Sequence, residues 1–339
     1  MTDAPSPALP TRMRAVTQHR YGGPEVLATV DLPVPVPAAT EVLVRVRAAG
    51  VDAGTVHILT GKPYLMRAIG FGLRAPRAPY PGRAFAGEVA RVGSAVTGCA
   101  VGDRVVGSCS GTFAEYITVP EAALVGIPNA VPFETAATLP VSGVTALQAL
   151  RVAGLETASD AETPRVLVLG GGGGVGSFAV QLAAANGATV TGVCSTSKLD
   201  FVRSLGAHDV IDYTVDDLAS TARRWNVIID AGGGRALGVL RRILSPDGHL
   251  VLVGAENGGA LLGGLERVIG AGLLDRFTGQ HLHGLVSREL TADLRLLLAE
   301  VAAGRLHPAI DRVYPLSEAA AALTRVASSK ARGKVVVSI

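Results

Sequence analysis

The stretch from Arg165 to Tyr213 constrains this chain more than any other. An apolar run, Val166-Leu167-Val168-Leu169, enters five consecutive glycines, Gly170 to Gly174, followed by Val175-Gly176-Ser177 and apolar residues at helical spacing. The pattern G-x-G-x-x-G falls on Gly171, Gly173 and Gly176. Between a strand and a helix it reads as a dinucleotide-binding turn, with Gly174 and Val175 inside it. Glycines permit the tight turn and let backbone approach a pyrophosphate, which rests on the unpaired N–H groups of the helix N-terminus. A flexible glycine-rich loop is the plain alternative. The flanking strand, helix and second strand, Thr189 to Val193, fit a βαβ unit instead.

The residues just beyond the second strand name the nucleotide. NAD-binding versions carry an acid about 20 residues after the turn, on the ribose 2′-hydroxyl. Here the strand runs into Cys194-Ser195-Thr196-Ser197-Lys198, and no carboxylate appears before Asp200. Hydroxyls with one cation suit a 2′-phosphate, so NADPH is expected rather than NADH. Lys198 as a solvated residue near the start of its helix is the competing reading.

A chain of 339 residues predicts two domains with substantial cores. Its formal charge of +3 is small and dispersed, which argues against a nucleic-acid or membrane partner. No run of about 18 apolar residues is present to suggest a membrane span. The opening Met1 to Pro10 reads as a disordered tail. Cys99, Cys109 and Cys194 match neither a disulfide framework nor a zinc spacing. A reducing cytoplasm is the expected location.

Up to Val119 the chain reads as short strands between Gly and Pro turns: Glu41–Arg47, Glu88–Val92, Asp103–Val106 and Thr112–Val119, a small barrel. Phe133 to Leu155 has helical spacing, interrupted at Pro140. Strands and helices then alternate through Arg165–Leu169, Val175–Asn186, Thr189–Val193, Leu199–Leu205, Val210–Ile211, Val215–Arg223, Val227–Asp230, Ala236–Leu244 and His249–Val253. This alternation predicts an α/β fold with a doubly wound parallel sheet. An apolar, Gly-rich segment reaches to about Gly279, then His281–Val286 reads as a sixth strand and Thr291–Ala303 as a helix. A strand at Asp311–Tyr314, a helix at Leu316–Ala327 and a strand at Gly333–Ile339 close the chain.

Several segments together resemble the medium-chain dehydrogenase/reductase superfamily, in its zinc-independent quinone oxidoreductase and enoyl reductase branch. They are Pro81-Gly82-Arg83-Ala84-Phe85-Ala86-Gly87, Val101-Gly102-Asp103-Arg104-Val105, Leu139-Pro140 to Ala146, the glycine cluster, Leu205-Gly206-Ala207 and Arg332-Gly333-Lys334-Val335. The resemblance implies a barrel-like (GroES-like) catalytic domain from residues 1–132 and 306–339. A Rossmann domain, residues 133–305, is inserted into it. It also implies a substrate cleft between the domains, and a homodimer joined through an edge strand such as His281–Val286.

Zinc-dependent relatives have Cys where this chain has Asp52, and Gly-His-Glu where it has Gly82-Arg83-Ala84. Their four-cysteine lobe is missing too. Catalytic zinc takes about three protein ligands, so no metal is expected. Without a Lewis acid an alcohol oxygen is hard to activate. A quinone or α,β-unsaturated carbonyl spreads the developing charge by conjugation, and modest donors suffice. The expected substrate is therefore a small apolar conjugated carbonyl or quinone. A metal-free NADP-dependent alcohol or ketone oxidoreductase, and a non-catalytic NADPH-binding regulatory protein, stay open.

Two residues are candidates for catalysis. Asp52 stands where many relatives carry Asn, in Val51-Asp52-Ala53-Gly54-Thr55. It reads as orienting a ligand, as an acid raised by burial, or as a turn residue. Tyr64 lies close to the position of a catalytic Tyr in enoyl reductases of the family and could donate a proton to an enolate. Alternatively it anchors a loop. Thr145 matches a position at the nicotinamide end, unless its hydroxyl bonds back to its own helix. Tyr213 resembles the Tyr lining the 2′-phosphate pocket, forming a grip with Ser195 and Lys198. Gly232 and Gly254 come just after the fourth and fifth strands, where backbone approaches the cofactor, and Lys334 is placed near the cleft. The segment Lys62–Pro81, mixing apolar residues with Arg67, Arg74 and Arg77, reads as a lid or a solvated loop.

Overall fold

A parallel sheet of six strands carries the glycine turn. The computed structural model describes residues 9–155, 163–253, 259, 261–275 and 278–339. Gly254, and all but the last two residues of the expected N-terminal tail, lie outside the described residues. In space the strands run Asp209–Asp212, Thr189–Cys194, Arg165–Leu169, Trp225–Asp230, Leu244–Leu252 and His281–Gly284, every neighbouring pair parallel. In chain order this is 3-2-1-4-5-6. The winding reverses between Arg165–Leu169 and Trp225–Asp230, and ligands bind at such a switch point, beyond the carboxyl ends of the strands. Arg165–Leu169 is buried at every position after Arg165, as a parallel strand covered on both faces must be.

The second sheet is built on one long strand, Glu41–Val51. Ala84–Val92 occupies one of its edges. Its other edge takes Tyr116–Pro120 against Glu41–Arg45, and then Lys334–Ser338 against Ala48–Val51. Arg104–Ser108 and Leu124–Gly126 extend the sheet on one side, and Ile310–Pro315 on the other. The tail thus returns to the first sheet after the chain has built the parallel one, which is the expected insertion of a Rossmann unit into a GroES-like β domain.

The structure departs from expectation in four places. Val215–Arg223 is not a helix; only a single 3-10 turn, Leu218–Ser220, forms there. Leu218 alone is buried, so no apolar stripe fixes a helix, and Asp217 Oδ1 accepts from Ala219 N at 2.9 Å in a local turn. Conversely, the Gly-rich segment before His281 contains the helix Leu265–Asp275. A hairpin pairs Arg12–Gln18 with Leu27–Pro33 ahead of the first expected strand. Finally, Ala53–Thr60 is a helix that starts after Asp52 and stops at Gly61, whose φ of 62° suits glycine.

Candidate active site

A cleft of about 760 Å³ runs along the carboxyl ends of the parallel strands to the end of Glu41–Val51. That volume is in the range of small-molecule and cofactor sites. The glycine turn forms its floor. Gly170 takes φ 74°, and the N–H groups of Gly170 and Gly171 both donate to Val193 O at 3.0 Å. Helix Gly174–Ala185 then begins with Gly173 as its cap, without any side-chain bond to its first N–H groups. Those donors are left for an anion. A Cβ on Gly176 would stand 2.1 Å from Gly170 O, so only glycine lets this helix approach the turn. Gly173, Gly174, Val175 and Gly176 line the cleft, as do Gly170 and Gly172. Gly171 does not, being turned toward the second strand.

Ser195, Lys198 and Tyr213 line one end of the cleft. Tyr213 is 52% exposed, and the Ser195 hydroxyl lies 3.4 Å from that of Ser197. Lys198 is neither solvated nor free. It is buried, and its ammonium donates to Ser329 O at 2.9 Å and Ala331 O at 2.5 Å. Burial pushes its pKa down.

At the other end stand Asp52, Thr145 and Lys334. Asp52 caps the helix Ala53–Thr60: its Oδ1 accepts from Thr55 N at 2.9 Å. Its Oδ2 is buried with no partner among the described residues. Lys334 is fully buried, donating to Val51 O at 2.9 Å and Ser142 Oγ at 2.8 Å. Burial lowers its pKa, and the charge of Asp52 opposes that shift. Thr145 Oγ1 donates to Val141 O at 2.7 Å, the bond back to its own helix, while still lining the cleft.

Tyr64 is not among the residues lining the cleft. It is 44% exposed, with its ring under the Arg67 guanidinium at 4.8 Å; Tyr21 meets the same guanidinium at 4.2 Å. Arg67 also donates to Gly61 O at 2.9 Å. Tyr64 and Arg67 therefore brace the Lys62–Pro81 segment, and Arg67 is unavailable as a ligand cation. Leu65 N bonds to Leu261 O at 3.1 Å, tying this segment to the parallel-sheet side.

One wall residue and one buried residue behind the wall escaped the sequence reading. His57, on the helix capped by Asp52, lines the cleft with Nδ1 3.0 Å from Lys62 O. A carbonyl only accepts, so Nδ1 carries the proton and Nε2 is left to exchange one. Asp230, fully buried at the end of the fourth strand, accepts from Gly233 N at 2.9 Å and Arg267 Nη2 at 2.5 Å. It holds the turn in which Gly232, Gly233 and Gly234 line the cleft. An acid directly before Ala231-Gly232-Gly233-Gly234 was the signal available in the sequence.

Residues 38–129 match the family model described as the alcohol dehydrogenase GroES-like domain, and residues 205–337 match that for zinc-binding dehydrogenases. A quinone oxidoreductase of Lama guanicoe is 32% identical, covering 96% of this chain and 97% of its own. The chain belongs to the medium-chain dehydrogenase/reductase superfamily, in its quinone oxidoreductase-like branch. A chloroplast envelope quinone oxidoreductase homolog of Arabidopsis thaliana is similar to this chain at 30% identity, over 96% of this chain and 98% of that one. The solved quinone oxidoreductase of Coxiella burnetii superposes with a TM-score of 0.82 at 28% identity, covering 97% of this chain and 99% of its own.

The zinc named by one matching model does not fit the residues of this chain. At the two family ligand positions stand Asp52, whose Oδ1 is spent on the helix cap, and Arg83, a cation paired with Glu289. Among the described residues, no group of three or more His, Cys, Asp or Glu side chains is placed to hold a metal ion. A dinucleotide does fit: the floor is a tight turn that only glycine at Gly176 allows, and the first N–H groups of helix Gly174–Ala185 take no side-chain cap.

Proposed function

We propose that this chain is a zinc-independent, NADPH-dependent reductase of quinones or α,β-unsaturated carbonyls. The observation that carries the reading is a dinucleotide cradle opening onto Asp52, His57 and Lys334, with no ligand set for a Lewis acid among the described residues. NADPH rather than NADH is favoured because Ser195 and Tyr213, not an acid, line the rim after the second strand. When bound, NADPH supplies the hydride. The helix that begins at Gly174 would hold the pyrophosphate. Ser195 and Tyr213 would flank the 2′-phosphate.

At the reacting end the chain's own groups have separate roles. The unpartnered Oδ2 of Asp52 accepts a hydrogen bond from the ligand and orients it, since a buried acceptor left unpaired is costly. The Lys334 ammonium, fixed on Val51 O and Ser142 Oγ, sets a positive field against charge that develops on a carbonyl oxygen. His57, once it has taken a proton from water on Nε2, delivers that proton to the reduced acceptor and returns to the Nδ1–H imidazole. Tyr64 is given no proton-transfer role. Such a set suits an acceptor whose conjugation already spreads the charge.

A panel of acceptors tests this by NADPH absorbance. Turnover with quinones or enones, and none with matched saturated ketones, is expected. Equal rates on saturated ketones, or tight NADPH binding without turnover on any acceptor, would overturn the reading.

A further inference from the structure

The helix Leu265–Asp275 touches both the turn after the fourth strand and the segment Lys62–Pro81. Arg267, in its first turn, pairs at 2.5 Å with one carboxylate oxygen of Asp230, which is fully buried. The other oxygen accepts from Gly233 N at 2.9 Å, in the turn Gly232–Gly234 that lines the cleft. Arg267 does not line the cleft, so it reaches that turn only through Asp230.

Just ahead of Arg267 the chain bends on Gly263 and Gly264, both buried, with φ of 61° and 86°. A Cβ on Gly263 would stand 2.3 Å from Pro63 Cγ, so this bend is packed hard against the start of the segment. Beside it, Leu65 N donates to Leu261 O at 3.1 Å. Arg267 N donates to Gly264 O at 2.9 Å, which leaves about one helical turn between the Pro63 contact and the ion pair. The segment in turn touches the cleft wall, because Lys62 O accepts from His57 Nδ1 at 3.0 Å. The helix is otherwise lightly held. Only Ala271 is buried in it, with Val268 and Leu274 partly buried against the neighbouring core. An element with so little buried shifts easily. A buried carboxylate stripped of its cation is costly, so the Asp230–Arg267 pair commits the helix to the position of the turn.

We propose that Arg267 is a positioning residue that couples the cofactor turn to the Lys62–Pro81 segment. A dinucleotide seated on Gly232–Gly234 fixes Asp230, Asp230 fixes Arg267, and the start of the helix then holds the segment and, through Lys62 O, the ring of His57. The coupling rests on the dinucleotide reading of the cleft and not on the preference for NADPH. Trypsin reads the segment directly at Arg74 and Arg77, which are exposed, with the cuts assigned by mass spectrometry. Calorimetric titration of the full chain with NADP+ and with NAD+ gives the saturating concentration of whichever binds. In the wild type, saturation should slow cutting after Arg74 and Arg77 by at least about fivefold. In Arg267→Met the dinucleotide should bind more weakly, and at saturation the slowing should shrink to within about twofold. Arg267→Lys, which keeps a cation for Asp230, should restore most of it. A role in folding alone would speed cutting in Arg267→Met with and without dinucleotide and leave their ratio unchanged. Gly263→Ala keeps both members of the ion pair and pushes against Pro63, so it too should abolish the slowing, and it decides the matter if Arg267→Met does not fold. A slowing that survives in Arg267→Met or in Gly263→Ala, or that is missing from the wild type, overturns the coupling and leaves the dinucleotide site standing. A wild type that binds neither NADP+ nor NAD+ overturns the reading of the cleft and the coupling with it.

Discussion

Asp52 divides its two oxygens between the helix cap and, in the proposed function, the ligand. Oδ1 caps the helix Ala53–Thr60, and Oδ2 is the buried acceptor in the cleft. Asp52→Ala should cost about 1 kcal/mol of stability through the lost cap and at least about tenfold in kcat/KM. Asp52→Asn should recover the stability, because Asn caps equally well, without recovering the rate. Full recovery of the rate would show that the charge is not needed. For Tyr64 the expectation is opposite. Tyr64→Phe keeps the stack on Arg67 and removes a hydroxyl outside the cleft wall, so kcat should stay within about twofold of wild type. Residue type and spacing made Asp52 legible in the sequence. They could not show that Tyr64 and Tyr21 clasp Arg67, a contact made across the fold.

The glycine turn was the most legible element, because strand, turn and helix are local and each residue type has one use there. Gly176→Ala should force the helix away from Gly170 O and cost about 1–3 kcal/mol. The loss would be seen in thermal unfolding together with weakened NADPH binding; an unchanged Tm would contradict the close approach. Val215–Arg223 misled because its charge pattern resembles a solvated helix while only Leu218 has somewhere to bury. The outer strand carries a different signal. His249 and His281 stack with ring centroids 4.6 Å apart, and His283 Nε2 lies 3.4 Å from His249 Nδ1. Burial lowers the pKa of His249 and His283, reinforced by the neighbouring imidazoles and opposed by Asp275, with Asp247 also acting on His249. The folded state therefore binds fewer protons than the unfolded chain. Stability should be complete above about pH 6.5 and fall as pH drops through the depressed folded values. Tm recorded from pH 7.5 to 5 should decline, and His283→Gln should flatten the decline. A Tm that rose toward pH 5 would contradict this coupling.

At the scale of the molecule, the chain order itself builds the site. Lys334–Ser338 pairs with Ala48–Val51 only after the parallel sheet is complete, and this brings Lys334 against Val51 O and Ser142. Alternation of strands and helices made the parallel sheet readable in the sequence. The N-terminal hairpin was not, since its second strand has no buried residue to give a clear alternation, and neither was the wall contributed by His57, which follows from how the helix Ala53–Thr60 sits beside the cleft. The strand His281–Gly284 leaves one edge unpaired among the described residues, the edge we propose for a homodimer. Light scattering at neutral pH should return twice the chain mass, and a monomer would remove that proposal. The claim on which the rest depends is reduction by NADPH without zinc. It is tested most directly by the steady-state rate of metal-stripped protein with NADPH and a quinone or enone. The expected result is an undiminished rate that added zinc does not change. A rate abolished by the chelator and restored by zinc would contradict it.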